Sequence, residues 1–244
     1  DMSFFSVEKN NLKNFKLTLN NSNVNVDRVI LKPFVEGINM LSKAKLDSNI
    51  AIVKIGKNRS NVSLFKNQAF IYSENFNFGT NLIIKDLAKL CSISFDIATN
   101  ILTNLSFVEI KQDNYSEHLD AKYFLNIPFR KITFKLILDI FTSRLEEIFE
   151  LSYDKNINLV NLKNASNVNI IIEDLSMYDN ICHIINNNFS NKYKIFYRKL
   201  DENYAFSGCF GAAELIGKGW SKEAIPLIQS KKSVISRILS NIFK

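Results

Sequence analysis

Short apolar runs alternate with polar turns between residues 50 and 72. An apolar, β-branched run covers residues 50–55, Gly56 opens a polar turn, and two further strand-like runs cover residues 62–65 and 69–72. Short β-rich runs separated by a few turn residues are typical of consecutive hairpins. The pattern therefore predicts a three-stranded meander, around which the rest of the chain is arranged.

Apolar residues recur at helical spacing in much of the remaining chain. The predicted helices cover residues 33–41, 82–90, 94–105, 134–153, 180–187 and 206–216, with a short amphipathic helix at 11–19. Beyond the meander, strands are predicted at residues 4–7, 24–31, 123–127, 168–172 and 194–197. The run at 168–172 is apolar except at Asn169, as in a buried parallel strand. Strand–helix alternation after a meander predicts an α/β fold with a helical insertion between residues 78 and 150.

The composition indicates a globular chain with a basic surface. Its 244 residues are 46% hydrophobic, enough to bury a core as one large or two modest domains. A net charge of +7 favours an anionic partner such as a membrane surface or an acidic peptide. The lysines are scattered rather than gathered in one stripe, which argues against nucleic acid. Three distant cysteines and two histidines predict buried thiols, with neither disulfides nor a metal site.

Residues 231–244 have the pattern of an amphipathic helix that lies in a membrane interface. No acidic residue interrupts this segment, and a linker-like stretch precedes it. The predicted membrane-binding residues form one apolar face with basic residues beside it: Lys232, Val234, Ile235, Arg237, Ile238, Leu239, Ile242, Phe243 and Lys244. The alternatives are a terminal helix docked on the protein's own core and a helix that binds a partner.

Four segments resemble, in order, one protein family. Residues 28–41 resemble the family's strand and connecting helix, and residues 49–65 resemble its phosphate hairpin. Residues 77–88 resemble the glycine turn and helix that follow the hairpin, and residues 144–151 resemble a helix with the pattern R-x-x-E-I. The ordered set, together with the amphipathic tail, is similar to the later half of the bacterial cell-division FtsA family, which belongs to the actin and sugar-kinase superfamily.

The resemblance implies an actin-like (ribonuclease H-like) second lobe with an inserted helical subdomain, followed by a C-terminal amphipathic helix. Residues 1–47 would be the end of the first lobe with the connecting helix, and residues 48–77 with 151–216 would be the second lobe. Residues 78–150 would form the helical subdomain. Residues 217–230 would be a linker, and residues 231–244 the membrane helix. An N-terminal half with the first phosphate loop is expected to precede residue 1.

The resemblance also implies a nucleotide site at the hairpin, where the sequence departs from the family pattern. The family has Val-Asp-Ile-Gly-Gly-Gly-Thr-Thr-Asp where residues 53–61 are Val-Lys-Ile-Gly-Lys-Asn-Arg-Ser-Asn. Glycines let the backbone approach phosphate, and the acidic residues hold Mg²⁺ and water. A later glycine pair, which packs on adenosine in the family, falls on residues 173–175, Glu-Asp-Leu. The implied, degenerate site comprises Gly56, Lys57, Ser60, Asn61, Arg144 and Glu147.

These departures predict that the chain is not an enzyme and has no cofactor, with ATP implied by the resemblance alone. In an alternative interpretation, Lys54, Lys57 and Arg59 bind phosphate as built-in cations without magnesium. For Arg144 and Glu147, the alternative is an i,i+3 ion pair on a helix.

The function that the resemblance implies is an adaptor that tethers filaments of tubulin-like FtsZ to the cytoplasmic face of the cell membrane at the division site. Its expected partners are the FtsZ C-terminal peptide and membrane lipid, and it is expected to self-polymerise like actin. The peptide would dock on the helical subdomain, where Lys131, Lys135 and Arg144, with Lys155 just beyond, suit an acidic ligand.

Two other functions are compatible with the same fold. An ATPase or kinase of the superfamily would need the acidic residue and the glycines that Lys54, Asn58 and Asp174 displace. A pilus-assembly adaptor of similar fold would leave the amphipathic tail without a role.

Overall fold

The computed structural model describes residues 5–44, 49–124, 130–160, 167–199 and 206–220. The chain divides into two compact units, Asp1–Phe5 with Leu31–Lys222 and Ser6–Ile30 with Glu223–Lys244. The described part of the smaller unit holds helix α1, Lys9–Asn21, which has no buried residue. The predicted amphipathic helix at 231–244 lies outside the described residues.

The larger unit is built on one five-stranded sheet. Strands β1 (Ile50–Ile55), β2 (Ser60–Lys66) and β3 (Ala69–Phe76) form the predicted antiparallel meander. Strands β4 (Asn167–Ile172) and β5 (Lys194–Lys199) then join parallel to β1, which gives the order β3-β2-β1-β4-β5. Asn67 and Gln68 both have positive φ, 49° and 67°, which is the backbone of a tight hairpin turn.

Six helices of the larger unit are described, and their bounds follow the predicted spacing closely. They are α2 (Lys32–Ala44), α3 (Asn81–Leu90), α4 (Phe95–Asn104), α5 (Phe134–Phe149), α6 (Tyr178–Phe189) and α7 (Ser207–Lys218). Side-chain caps define two of the starts: Ile97 N–H donates to Ser94 Oγ and Leu136 N–H donates to Thr133 Oγ1, each at 3.3 Å. A π-helical turn at Glu150–Asp154 extends α5.

The helices cover both faces of the sheet. Ala51, Val53 and Ile55 point to one face and share a core with the buried residues of α3, α4, α5 and α6. The opposite face receives α2, where a Cβ on Gly37 would lie 2.0 Å from the ring of Phe65. Helix α7 packs closely against α2, where a Cβ on Gly211 would lie 1.8 Å from Val35 O. The α/β prediction is therefore confirmed, with helices α3–α5 inserted between β3 and β4.

Several local predictions are wrong. Residues 5–7 and 24–31 have no regular secondary structure, because their alternating pattern finds no neighbouring strand among the described residues. The strand predicted at 123–127 begins instead as a short 3₁₀ turn, Ala121–Phe124, and the rest lies outside the described residues. Cys209 is exposed rather than buried. Within the described part of the chain, no helix is long and apolar enough to cross a membrane.

Candidate nucleotide site

The candidate site lies where the carboxyl ends of β1 and β4 meet. The two strands are parallel and in register up to Ile55 and Ile172, and Glu173 N–H donates to Ile55 O at 3.0 Å. Ligands of open α/β sheets bind at this edge. The turn at residues 56–59, which carries the implied phosphate contacts, begins here as well.

An ion triad occupies the position of the family's first aspartate. Lys54 Nζ lies 2.9 Å from Glu173 Oε1 and 3.6 Å from Glu36 Oε1 of α2. Burial lowers the pKa of Lys54, but the two carboxylates outweigh it and the pKa is raised overall. Lys54 therefore stays charged, and the carboxylates of Glu36 and Glu173 balance its charge. The interpretation in which Lys54 binds phosphate as a cation is unfavourable for this reason.

The surviving glycine is packed tightly rather than open to a ligand. A Cβ on Gly56 would lie 2.5 Å from Glu173 Oε2 and 2.6 Å from Arg59 O. Gly56 N–H donates across the turn to Arg59 O at 3.0 Å. A side chain at position 56 would thus collide with the triad, which explains a glycine here without a phosphate.

The backbone amide groups at the start of α3 already donate hydrogen bonds within the protein. Thr80 N–H donates to Gly56 O at 3.0 Å, and Asn81 N–H donates to Lys57 O at 2.9 Å. A Cβ on Gly79 would lie 2.1 Å from Gly56 O, so only glycine permits this close approach. Free N–H groups are what a helix N-terminus offers to an anion. Here the turn carbonyls already accept from them.

A buried carboxylate fills the position of the family's adenosine-binding glycines. Asp174 is 3% exposed, and it accepts hydrogen bonds from Thr80 Oγ1 at 3.1 Å and Ser176 Oγ at 2.6 Å. The negative charge and the side-chain volume oppose the approach of a nucleotide at this point. The hydrogen bond to Thr80 instead ties the segment after β4 to the start of α3.

Two of the implied hairpin residues make structural hydrogen bonds. Ser60 Oγ donates to Phe78 O at 2.9 Å, and Asn61 Nδ2 donates to Glu74 O and to Asn75 Oδ1, both at 2.9 Å. Both side chains therefore join the meander to itself and to the loop before α3.

Lys57 and Arg59 project from the turn. Both are exposed and have no ion pair within the described ranges. Their charge is available to solvent or to a partner.

Among the described residues, no hydrogen bond or ion pair joins Arg144 or Glu147 to the hairpin turn. Arg144 pairs with Asp86 of α3 and with Glu147 on its own helix. The hydrogen bond that Arg144 donates to Asp86, opposed by burial, raises the pKa of Arg144. The observed contacts correspond to the ion-pair interpretation, extended by a third partner, and any contact with a nucleotide remains a prediction.

Sequence relatives share part of the chain. No family model matches it. FtsA of Neisseria meningitidis serogroup B is 24% identical over 123 residues, which is 50% of this chain and 30% of that protein. FtsA of Agrobacterium fabrum is 24% identical over 101 residues, 41% of this chain and 23% of that protein. The matches thus span less than a third of either relative, and both relatives are described as cell division proteins.

The fold is similar to that of solved actin-like proteins. MreB5 of Spiroplasma citri bound to ADP has a TM-score of 0.60 at 12% identity, over 88% of this chain and 69% of that one. EutJ of Carboxydothermus hydrogenoformans has a TM-score of 0.51 at 10% identity, over 85% and 61%. MreB5 bound to AMPPNP has a TM-score of 0.57 at 10% identity, over 86% and 65%. This chain is similar to FtsA proteins over part of its length and has an actin-like fold. The predicted resemblance and the predicted actin-like α/β fold are confirmed, and the C-terminal amphipathic helix stays a prediction.

Sequence reasoning missed Glu36 as the second partner of Lys54 in this FtsA-like chain. A signal was present, because a lysine inside an apolar strand needs a buried counter-charge. Glu36 lies within the apolar run of α2 at 8% exposure, so it was the candidate for that charge. Thr80 stands at the start of α3, where a threonine often caps a helix, but its hydroxyl donates to Asp174 instead.

A separate cavity of about 540 Å³ lies between the loop after α4 and helix α6, against β5. It is lined by Ser106, Val108, Glu109, Asp179, Cys182, His183, Asn186 and Tyr197, none of which was predicted as a site residue. Burial raises the pKa of Cys182 to about 11, so its thiol is protonated at neutral pH. Among the described residues, no group of three His, Cys, Asp or Glu side chains could hold a metal ion.

Proposed function

We propose that this FtsA-like chain is a cell-division adaptor that tethers FtsZ filaments to the cytoplasmic face of the cell membrane at the division site. The similarity to two FtsA proteins, in a chain with an actin-like fold, carries the proposal. The amphipathic pattern at 231–244 supplies the membrane contact. Self-polymerisation is part of the proposal because actin-like lobes are its structural basis.

The tail has the chemistry for reversible attachment. Full burial of each large apolar side chain contributes roughly 1.5–3 kcal/mol. Each basic residue near an anionic surface adds about 1 kcal/mol. Six apolar residues and four basic ones in 231–244 therefore suffice, even after the cost of ordering the helix.

The FtsZ peptide would bind the helical part of the chain, residues 78–150. Four basic residues are candidates, three within this range and Lys155 just beyond it. Arg144 is paired with Asp86 and Glu147, and Lys155 with Glu150. Lys131 and Lys135 are exposed and have no ion pair among the described residues. These two lysines are the best placed to attract an acidic peptide.

The chain is further proposed not to act as an ATPase or kinase. Mg²⁺-assisted phosphoryl transfer needs carboxylates free to hold the metal and a cradle of free donors. Glu36 and Glu173 pair with Lys54, and Asp174 accepts from two hydroxyl groups. These contacts support a structural role for the former nucleotide site.

Liposome flotation of the full chain tests the membrane part. Ile238→Asp places a charge on the apolar face of the tail, and we expect flotation on anionic vesicles to be lost. Ser240→Asp is the matched control, because it adds the same charge to the polar face. Unchanged flotation of the Ile238 variant would exclude the tail as the membrane anchor.

A pull-down with an FtsZ C-terminal peptide tests the partner. Capture is expected from the full chain and should fall at least tenfold in Lys131→Glu/Lys135→Glu, about 1.4 kcal/mol or more for two reversed charges. Lys57→Glu/Arg59→Glu is the control, since it makes the same charge change at the hairpin turn. Absence of binding to the unmodified chain would count against the adaptor.

Nucleotide binding is the second candidate, because MreB5 was solved with ADP and with AMPPNP on a similar fold. Isothermal titration of ATP with Mg²⁺ into the full chain measures it. We expect no heat of binding, and a sub-micromolar Kd would favour the nucleotide-binding alternative.

A further inference from the structure

One edge of the sheet lies beside Trp220, the last residue that the structure describes. Strands β1, β4 and β5 begin there in register, since Ile50 pairs with Asn167 and Asn167 with Lys194. The turn between β2 and β3 lies at the same edge because Phe65 pairs with Ile50. We call this edge the amino edge, defined by residues 66–68, Lys194 and the residues packed beside them.

Trp220 fixes the exit of the chain at the amino edge. Its indole Nε1–H donates to Gln68 O at 2.9 Å, just beyond the end of α7. Residues 221–230 then lead to the amphipathic segment. The opposite edge of the sheet lies farther from Trp220 by the length of the strands, about 17 Å for six residues. The amino edge is therefore the part of the sheet nearest to the last residue that the structure describes.

The exposed charges of the amino edge are mainly ammonium groups. Lys66 and Lys194 are exposed and have no ion pair within the described parts of the chain. They lie three strand spacings apart, about 14 Å. Lys192 and Lys218 are also exposed, at 58% and 75%, and pair with carboxylates that are only 7% and 28% exposed. A flat anionic surface would meet lysines before it met carboxylates.

We propose that the amino edge lies against the same anionic lipid surface that the tail binds. The inference rests on the proposed membrane attachment and adds an orientation to it. Lys66 and Lys194 approach the headgroups, and the half-buried Trp220 sits at the water interface, where tryptophan is favoured in membrane proteins. The hairpin turn with Lys57 and Arg59 then points away from the membrane, toward the cell interior.

Two matched double variants test the orientation. Lys66→Gln/Lys194→Gln removes two unpaired charges from the amino edge, and Lys57→Gln/Arg59→Gln removes two from the opposite edge. Binding to vesicles of phosphatidylglycerol and phosphatidylcholine is measured by sedimentation. We expect roughly fivefold weaker binding for each charge lost at the amino edge, and less than a twofold effect for the other pair. Equal losses in both variants would overturn the orientation.

Fluorescence gives a second readout because Trp220 is the sole tryptophan in the sequence. Its quenching by acrylamide should fall at least twofold when the full chain binds vesicles. Unchanged quenching, with vesicle binding intact, would also overturn the orientation. The Ile238→Asp variant separates the two proposals: if it binds vesicles normally, membrane attachment through the tail fails, whereas the edge variants test orientation only in a chain whose tail binds.

Discussion

The ammonium group of Lys54 lies 2.9 Å from a carboxylate oxygen of Glu173. Lys54 lies in β1, at the position where the FtsA family has an aspartate, and Glu173 directly follows the neighbouring strand β4. The charge at position 54 is thus opposite to that of the aspartate, and the negative charge of Glu173 balances it. Because Glu36 from α2 joins the pair, one contact set links α2, β1 and the end of β4. Where the family pattern has residues for magnesium and phosphate, the charged groups of this chain pair with one another.

Replacing Lys54 with methionine should destabilise the protein. The side chain of Lys54 is 16% exposed, and its loss would leave the Glu36 side chain, which is 10% exposed, without its central counter-charge. Breaking a fully buried pair costs 3–5 kcal/mol, and the partial exposure of Glu173 reduces this to about 2 kcal/mol. Urea denaturation measures the change. Lys32→Met is the control: Lys32 lies 3.6 Å from the same carboxylate but is 68% exposed, so it should cost less than about 1 kcal/mol. Equal costs would contradict a special role for Lys54.

Helices α2 and α7 should not tolerate a methyl group at their crossing. A Cβ on Gly211 would lie 1.8 Å from Val35 O, which is backbone and cannot move aside cheaply. We expect Gly211→Ala to lower the free energy of unfolding by about 2–3 kcal/mol. Gly217→Ala, in the same helix, meets no atom within 4 Å and should stabilise by up to about 1 kcal/mol. Thermal unfolding followed by circular dichroism distinguishes them, and similar Tm values would refute the close crossing.

Periodicity predicted the sheet and most helices because burial repeats along each element. Residues 50–55 and 168–172 are apolar except at Lys54 and Asn169, and both runs form central strands with helices on either face. The same reasoning failed at 24–31, where alternation is local but a strand requires a partner. Val24 is 49% exposed there.

The candidate site was only partly predictable for a related reason. The loss of glycines and acids in residues 53–61 can be read directly from the sequence. The replacement contacts join residues far apart in the chain, such as Glu36 with Lys54 and Thr80 with Asp174. Spacing within one helix suggested that Arg144 meets Glu147, but it contained no information about Asp86, which lies on another helix.

Two buried asparagines should respond oppositely to leucine. Asn169 is 1% exposed on β4, and neither of its amide atoms has a hydrogen-bond partner among the described residues. Asn169→Leu should therefore stabilise by about 1–2 kcal/mol. The amide of Asn180 accepts from Phe107 N–H at 2.9 Å and donates to Leu105 O at 2.7 Å, so Asn180→Leu should destabilise by about 2 kcal/mol or more. Urea midpoints measure both. Destabilisation by Asn169→Leu would indicate that a bound molecule satisfies this amide.

Stability in acid should depend on Glu74. Burial raises the pKa of this carboxyl, but hydrogen bonds from Tyr72, Asn156 and Asn158 outweigh it and leave the pKa below its usual value of 4.5. Asn156 Nδ2 donates to Glu74 Oε2 at 3.0 Å. A depressed carboxyl pKa stabilises the folded state above pH 4.5, and that contribution is lost as the pH falls through the folded-state value. The bonds join β3 to the turn after α5.

Glu74→Gln removes this dependence. We expect the variant to be less stable than the unmodified protein at pH 6, and the difference in urea midpoint should shrink as the pH is lowered to 3. Tyr72→Phe is the companion variant: it deletes one donor, so the acid-dependent part of the stability should decrease without vanishing. A difference between Glu74→Gln and the unmodified protein that stays constant from pH 6 to pH 3 would show that the carboxylate charge does not hold this turn against the sheet.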